Sequence, residues 1–206
     1  MTTLSRSTRR WRVLLVTAVA SAAVVTGWAE WPSPPTSAVV TAARDAVSSP
    51  PGARIIVHAG RSDFAWRIAR AIADGLAQGG VSSRIATTRD TAAVPQHADR
   101  AIVLVAPTYW WAPAWTVARV AASLSLARDV LVLPVVTASG QGDRSLAVLR
   151  SRAVRSGGTV LDGLALYRWR PNSEAAAAGA DNVLEGERVA RDAGRQLAAR
   201  VAQGPR

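Results

Sequence analysis

The 206-residue sequence predicts one α/β domain with a parallel sheet, placed behind an N-terminal membrane-directed segment. Three observations carry that reading. Apolar runs without alternation, at residues 101–106 and 130–136, have the pattern of parallel strands covered on both faces. Stretches of helical period stand between such runs, so strand and helix alternate to the end of the chain. Glycine pairs, Gly79-Gly80 and Gly157-Gly158, fall where helices must give way to strands.

Residues 1–12 are a basic flank carrying Arg6, Arg9, Arg10 and Arg12, and residues 13–29 are an apolar run without charge. As a helix the run spans about 26 Å, close to a hydrocarbon core, with Trp11 and Trp28 placed like interfacial anchors. It predicts a transmembrane signal anchor: a single-pass protein of the cell membrane, N-terminus cytoplasmic and domain extracytoplasmic. The alternative is a cleaved signal peptide and a secreted domain, because Gly27 and Ala29 are small residues at the positions a signal peptidase reads. Thr8-Arg9-Arg10 also carries part of a twin-arginine export signal. Residues 30–53 hold Pro32, Pro34, Pro35, Pro50 and Pro51 and predict a semi-rigid linker, with a helical turn or two near residues 39–47.

The domain proper is expected over residues 54–202. A short strand at 55–58 leads to a helix in which Phe64, Ile68, Ile72 and Leu76 recur every four residues. An edge-like strand at 83–87 and an irregular connection at 91–99 precede the strand at 101–106, which Pro107 is expected to stop. Pro113 suits the first turn of a helix reaching residue 127, with Trp115, Val117, Val120, Ala121 and Leu124 as its buried stripe. The strand at 130–136 contains Pro134, which breaks one ladder bond. A helix at 143–156, a fifth strand at 159–169 and a helix at 181–202, apolar at Val183, Ala190, Leu197 and Val201, complete the pattern. Five parallel strands with helices on both faces make a three-layer sandwich with right-handed crossovers.

Composition removes several function classes. Every basic residue is Arg, which excludes Schiff-base and P-loop lysine chemistry. Without Cys there is no disulfide, zinc-thiolate site or thiol nucleophile. Two histidines and no acidic cluster give a metal site no support. The net charge of +11 is spread over helix faces where Arg alternates with Asp and Glu, as from Glu185 to Arg195, and no basic stripe with stacking aromatics suggests nucleic acid.

The residues that point to function sit at strand ends. Pro107, Thr108, Tyr109, Trp110 and Trp111 follow the central strand and present three large rings where open α/β sheets bind ligands. Thr137, Ala138, Ser139, Gly140, Gln141 and Gly142 follow the next strand, and Gly60, Arg61, Ser62, Asp63, Phe64 and Ala65 follow the first. With these three loops placed, residues 54–202 resemble the flavodoxin-like family; the strongest matches are residues 107–113, 137–142 and Thr159-Val160-Leu161-Asp162-Gly163-Leu164, and they look like the flavodoxins with a Trp pair in the second loop and a Thr-Ser-Gly third loop. The resemblance implies sheet order 2-1-3-4-5 and FMN held across the strand tops. It implies Tyr109, Trp110 or Trp111 stacked on the flavin and amides of residues 139–142 at its polar edge. The family's phosphate cradle has a Thr-Gly-Asn-Thr core. In the matching first loop only Ser62 keeps a hydroxyl, Arg61 offers a charged donor, and Asp63 opposes an anion or caps the helix.

Competing signals are weaker. Gly60-Arg61-Ser62 imitates a nucleophile elbow, yet Phe64 replaces its closing Gly and no late His follows. Gly140-Gln141-Gly142 with Asp162 imitates a dinucleotide fingerprint in the wrong βα turn. His58, at the end of the first strand, reads as a ligand contact or as a satisfied buried histidine. The expected function is a membrane-tethered FMN protein passing electrons, as a carrier or a small FMN-dependent oxidoreductase, to a partner protein or a membrane quinone. The alternative is a flavodoxin-like fold without cofactor, serving as an extracytoplasmic interaction or ligand-binding module whose aromatic loop is the contact. The sequence leaves the oligomeric state open.

Overall fold

The computed structural model describes residues 11, 15–21, 38–40, 52–60, 62–89, 99–173 and 181–204. In chain order the domain runs β1 (Ala38–Val40), β2 (Ala53–Val57), α1 (Asp63–Gln78), β3 (Ser83–Thr87), β4 (Ala101–Tyr109) and β5 (Ala112–Pro113). It continues with α2 (Trp115–Ser123), β6 (Leu131–Ala138), α3 (Asp143–Val154), β7 (Thr159–Val160), β8 (Leu164–Tyr167) and α4 (Asn182–Gln203). Parallel strands stand in the order β3-β2-β4-β6, and both β7 and β8 pair with β6. The expected 2-1-3-4-5 order is therefore present, but the main sheet has seven strands instead of five. The fifth lane is split in two, and β1 adds an antiparallel edge beside β3, where a helical turn was expected.

The apolar runs explain the layers. Along β4, Val103 and Val105 join Ile55, Val57, Leu133 and the buried faces of α1 and α4 in one core. Ile102 and Leu104 face the other way, into a second core with Ile56, Val132, Val136 and residues of α2 and α3. A strand buried on both faces has no reason to alternate. Helices α1 and α4 cross closely because Gly75 and Gly194 sit at the contact. A Cβ on Gly75 would come 2.1 Å from Arg191 O, and one on Gly194 would come 2.3 Å from Ile72 O.

The expectations for Pro107 and Pro113 need correction, while the irregularity expected at Pro134 is present. Pro107 does not stop the strand; β4 continues to Tyr109. Pairing with β2 ends at Val57↔Val105, so the amide that Pro107 lacks would have had no ladder partner on that side. Pro134 lies where the fifth lane breaks. β7 pairs with residues 131 and 132 of β6, β8 with residues 135–138, and Gly163, at φ 84°, packs against Pro134 O between them. Pro113 is in β5 instead of a first helical turn, and α2 ends at Ser123 because Leu126 N turns to donate to Ser156 O at 2.7 Å. Trp115 does not belong to the buried stripe of α2. It is 52% exposed, with the Arg119 guanidinium 4.5 Å from its ring, while Val117 and Ala121 are buried.

At the opposite end of the sheet, Arg54 of β2 is buried and its Nε donates to Asp99 Oδ2 at 2.8 Å. Of the anticipated span 13–29, residues 15–21 are described, as helix with exposed side chains; the rest of that span, and most of the 30–53 linker, lies outside the described residues. Among the described residues no helix is long and apolar enough to cross a membrane.

Candidate functional site

Three loops meet at the carboxyl edge of the sheet. The second begins where β4 outruns its neighbour β2. Thr108 pairs with Pro113 and Tyr109 with Ala112, so β4 and β5 form a hairpin whose two-residue tip is Trp110-Trp111. Both tip residues have positive φ, 49° and 65°. Such turns match strand twist and ordinarily take Asn-Gly or Gly-Gly, since a side chain in this region costs about 1–2 kcal/mol. Here the positions hold the two largest side chains available, and both indoles remain more than half exposed. Their ring centroids are 6.4 Å apart.

The hairpin is braced from two sides. Trp111 Nε1 donates to Gln141 Oε1 at 3.0 Å, tying the second loop to the third. Tyr109, half-buried, meets the edge of the His58 ring at 5.9 Å, and His58 Nδ1 lies 2.9 Å from Thr116 Oγ1. His58 is thus a buried support beneath the loop. Among the described residues Thr108 Oγ1 is buried without a hydrogen-bond partner.

In the third loop Thr137 and Ala138 are the buried end of β6, and Ser139, Gly140 and Gln141 rise to the surface. A Cβ at Gly140 would meet nothing within 4 Å, so the backbone there is open to close approach. Gly142 starts α3 and offers no side-chain cap.

The first loop is built differently. Ser62, not Asp63, is the N-cap of α1, and its Oγ accepts from Ala65 N at 3.4 Å. Asp63 adds a negative charge in the first turn. Phe64 and Ala65 are buried, with the Phe64 ring beside Gly186 of α4, so they face this loop by backbone alone. Gly60 is buried in the bend that follows β2, and Arg61 lies outside the described residues. No hydroxyl cradle forms here.

Sequence reasoning missed the segment after β8. The expected fifth strand, 159–169, takes in Tyr167, Arg168 and Trp169 and stops short of Arg170. In the structure the chain leaves β8 at Tyr167 and folds against the third loop, Arg168 N donating to Ala138 O and Trp169 N to Ser139 O. The alternation of aromatic and Arg at a strand end was the available signal. Trp169 is 74% exposed. Tyr167 OH donates to Asp143 Oδ1 at 2.8 Å, and the Arg170 guanidinium lies 3.5 Å over the Tyr167 ring. Burial, and then this hydrogen bond, push the Tyr167 phenol above its ordinary pKa, so it stays a neutral donor.

The end of this segment is clamped to α4. Ser173 Oγ donates to Glu185 Oε1, and Arg188 Nε donates to Glu185 Oε2 at 2.9 Å. The Arg188 bonds first, and then Ser173, hold the Glu185 carboxyl at about 2. A folded-state pKa below the unfolded one stabilises above the unfolded value, near 4.5, and is lost as pH falls through about 2. Ser173→Ala is expected to raise the Glu185 pKa part of the way back. Carboxyl-carbon NMR titration reads this, and an unchanged value would show that Ser173 does not hold the segment.

Asp162, the residue that imitated a dinucleotide acid, points into solvent and pairs with Arg150 at 2.9 Å. Among the described residues no cluster of His, Cys, Asp and Glu is arranged for a metal. A groove of about 760 Å³ lies between Arg100, Arg128, Thr159 and Arg200, at the amino ends of the strands, away from the edge where parallel sheets bind ligands. A second, of about 690 Å³, opens between Trp111, Gln141 and the start of α3.

No family model matches the chain, and no curated protein matches it in sequence. Solved structures do resemble it. A flavodoxin from the domain Archaea is 15% identical with a TM-score of 0.52, covering 73% of this chain and 99% of its own. A flavodoxin, WrbA-like protein from Agrobacterium tumefaciens is 17% identical with a TM-score of 0.52, covering 76% and 100%. Oxidised Flavodoxin 2 from Bacillus cereus is 17% identical with a TM-score of 0.51, covering 73% and 97%. At this identity the likeness is one of architecture, and it establishes that the chain has a flavodoxin-like fold.

Proposed function

We propose that this chain is a membrane-tethered flavodoxin-like protein that binds FMN non-covalently and passes electrons, as a carrier or a small flavin-dependent reductase. The observation that carries the reading is the Trp110-Trp111 tip, held in a costly backbone conformation at the end of the central strand and tied to the third loop. Strain of this kind persists where the surroundings over-determine it, and it clusters at ligand clamps. The ring end of the site suits a flavin: indoles to cover a flat face, an open backbone at Gly140, and the buried, unpartnered Thr108 Oγ1 nearby.

Bound FMN supplies the redox chemistry. The chain's own residues do the rest. Trp110 and Trp111 cover the ring and exclude water, and amides of residues 139–142 set the polarity at its edge. Tyr109 and His58 hold the hairpin from below. Neither His58, buried on Thr116, nor the raised Tyr167 phenol is placed as an exchanging acid or base. The recipient this reading proposes for the electrons that FMN would carry is a partner protein or a membrane quinone. A second reading, an extracytoplasmic contact module without cofactor, is favoured by the first loop, where Asp63 stands at the expected phosphate position and no hydroxyl cradle forms.

Titrating the full chain in detergent with FMN separates the two. Quenched flavin fluorescence and a perturbed visible spectrum are expected; a spectrum identical to free FMN at high concentration would leave the contact module. The anchor, residues 13–29, puts the domain outside the membrane in this proposal. Protease added to intact cells is expected to remove the domain, and full protection would place it inside.

A further inference from the structure

The groove beside Trp111 has the features of an anion site, and it lies in a different loop from the one the fold would nominate. It is lined by Trp111, Gln141, Asp143, Arg144, Ser145 and Arg170. Helix α3 starts there. Its first-turn amides have no intrahelical acceptor, and no side chain caps them. Ser145, in that first turn, is fully buried, and among the described residues its Oγ has no hydrogen-bond partner. Among the described residues Arg144 makes no ion pair, whereas Arg170 is 3.7 Å from Asp143. The one carboxylate in the lining, Asp143, is already engaged by Arg170 and by Tyr167 OH. Two arginines against one aspartate leave a net positive wall at a positive helix pole.

The start of α1 is the reverse. Ser62 already spends its hydroxyl on Ala65 N, and Asp63 stands there with no ion pair among the described residues. Among the described residues, the two helix starts on the same edge of the sheet thus differ in free donors. Among the described residues, only the start of α3 combines an unpaired arginine, uncapped amides and a buried hydroxyl without a partner.

We infer that the groove at the start of α3 binds a phosphate monoester or a comparable small dianion, held by Arg144, Arg170, the first-turn amides and Ser145. Its place beside Trp111 gives the anion a ring surface within the same groove, so the ligand is an aromatic phosphate. Two sources share this chemistry: the phosphate of the flavin itself, carried here instead of in the first loop, or a separate phosphorylated reactant next to the flavin. The identification of the ring partner rests on the flavin reading. The anion site does not.

The test uses the full chain in detergent with inorganic phosphate, FMN and riboflavin as probes, followed by calorimetry, phosphorus NMR and flavin fluorescence. Saturable phosphate binding is expected, weakened about tenfold or more by Arg144→Gln, as for loss of a charge-assisted hydrogen bond, and weakened also by Ser145→Ala. Asp63→Asn is expected to leave phosphate binding unchanged. If Arg144→Gln weakens FMN but not riboflavin, the flavin's own phosphate occupies the groove. If it weakens phosphate alone, the anion belongs to a second ligand. Should phosphate bind with no flavin of either kind, the anion site stands and the flavin reading falls. Phosphate binding that is absent, or indifferent to Arg144→Gln, or strengthened by Asp63→Asn, overturns the inference.

Discussion

Asp99→Ala is expected to lower the unfolding free energy by about 3–5 kcal/mol, roughly a fifth or more of what a domain ordinarily has. Asp99 and Arg54 have side chains 2% and 1% exposed and meet through Oδ2 and Nε at 2.8 Å. Arg54 lies on β2 between β3 and β4, and among the described residues its Nη1 and Nη2 have no hydrogen-bond partner. Its charge is therefore carried largely by one carboxylate. Deleting that carboxylate strands a desolvated guanidinium, which costs far more than the pair itself contributes.

The same argument fixes the control. Replacing both partners with apolar residues of similar volume, Arg54→Met with Asp99→Leu, removes the charge together with its counter-charge and is expected to recover most of the loss. Urea unfolding followed by circular dichroism reads both variants. A single variant as stable as the parent would mean that water reaches the pair. A double variant as unstable as Asp99→Ala would mean that packing, not charge, is what Asp99 supplies.

The parts of the fold legible in the sequence were those that a single periodicity decides. Residues 101–106 and 130–136 had to be central strands, because nothing else buries both faces of so short a run, and Asp181 with its following apolar positions gave α4 almost to the residue. What failed was decided by neighbours. Pro107 reads as a stop, yet it lacks only a bond that the adjacent lane does not offer. Trp115 matched a buried stripe in period but sits on the solvent side, where Arg119 covers it. Residues 38–40 hold too little pattern to announce an edge strand, and it is pairing with β3 that orders them. At the site, aromatics after a central strand were a readable signal. Ser145 was not, because an orphaned hydroxyl exists only once burial is known.

The conformation of the Trp pair was equally hidden, since the hairpin signal is Asn-Gly or Gly-Gly and this tip carries neither. It yields the second large effect, in which stability and binding part company. Trp110→Gly with Trp111→Gly is expected to be more stable than Trp110→Ala with Trp111→Ala by about 2 kcal/mol, roughly 1 per residue, although Gly ordinarily weakens a chain relative to Ala. Both variants remove the same indoles, so lost packing cancels in the comparison. What remains is the cost of a Cβ at φ 49° and 65°, set against the greater freedom of Gly when unfolded. Flavin binding should not distinguish the two variants. Each is expected to lose about 100-fold in FMN affinity, near tenfold per ring, if the indoles stack on the flavin. Thermal unfolding gives the first comparison and fluorescence titration the second. Equal stabilities would show that the tip is not held in the left-handed region in solution, and undiminished affinity would take the indoles out of the site. The parent sequence keeps two rings in a conformation that Gly would adopt more readily, and the rings are the only thing Gly would remove.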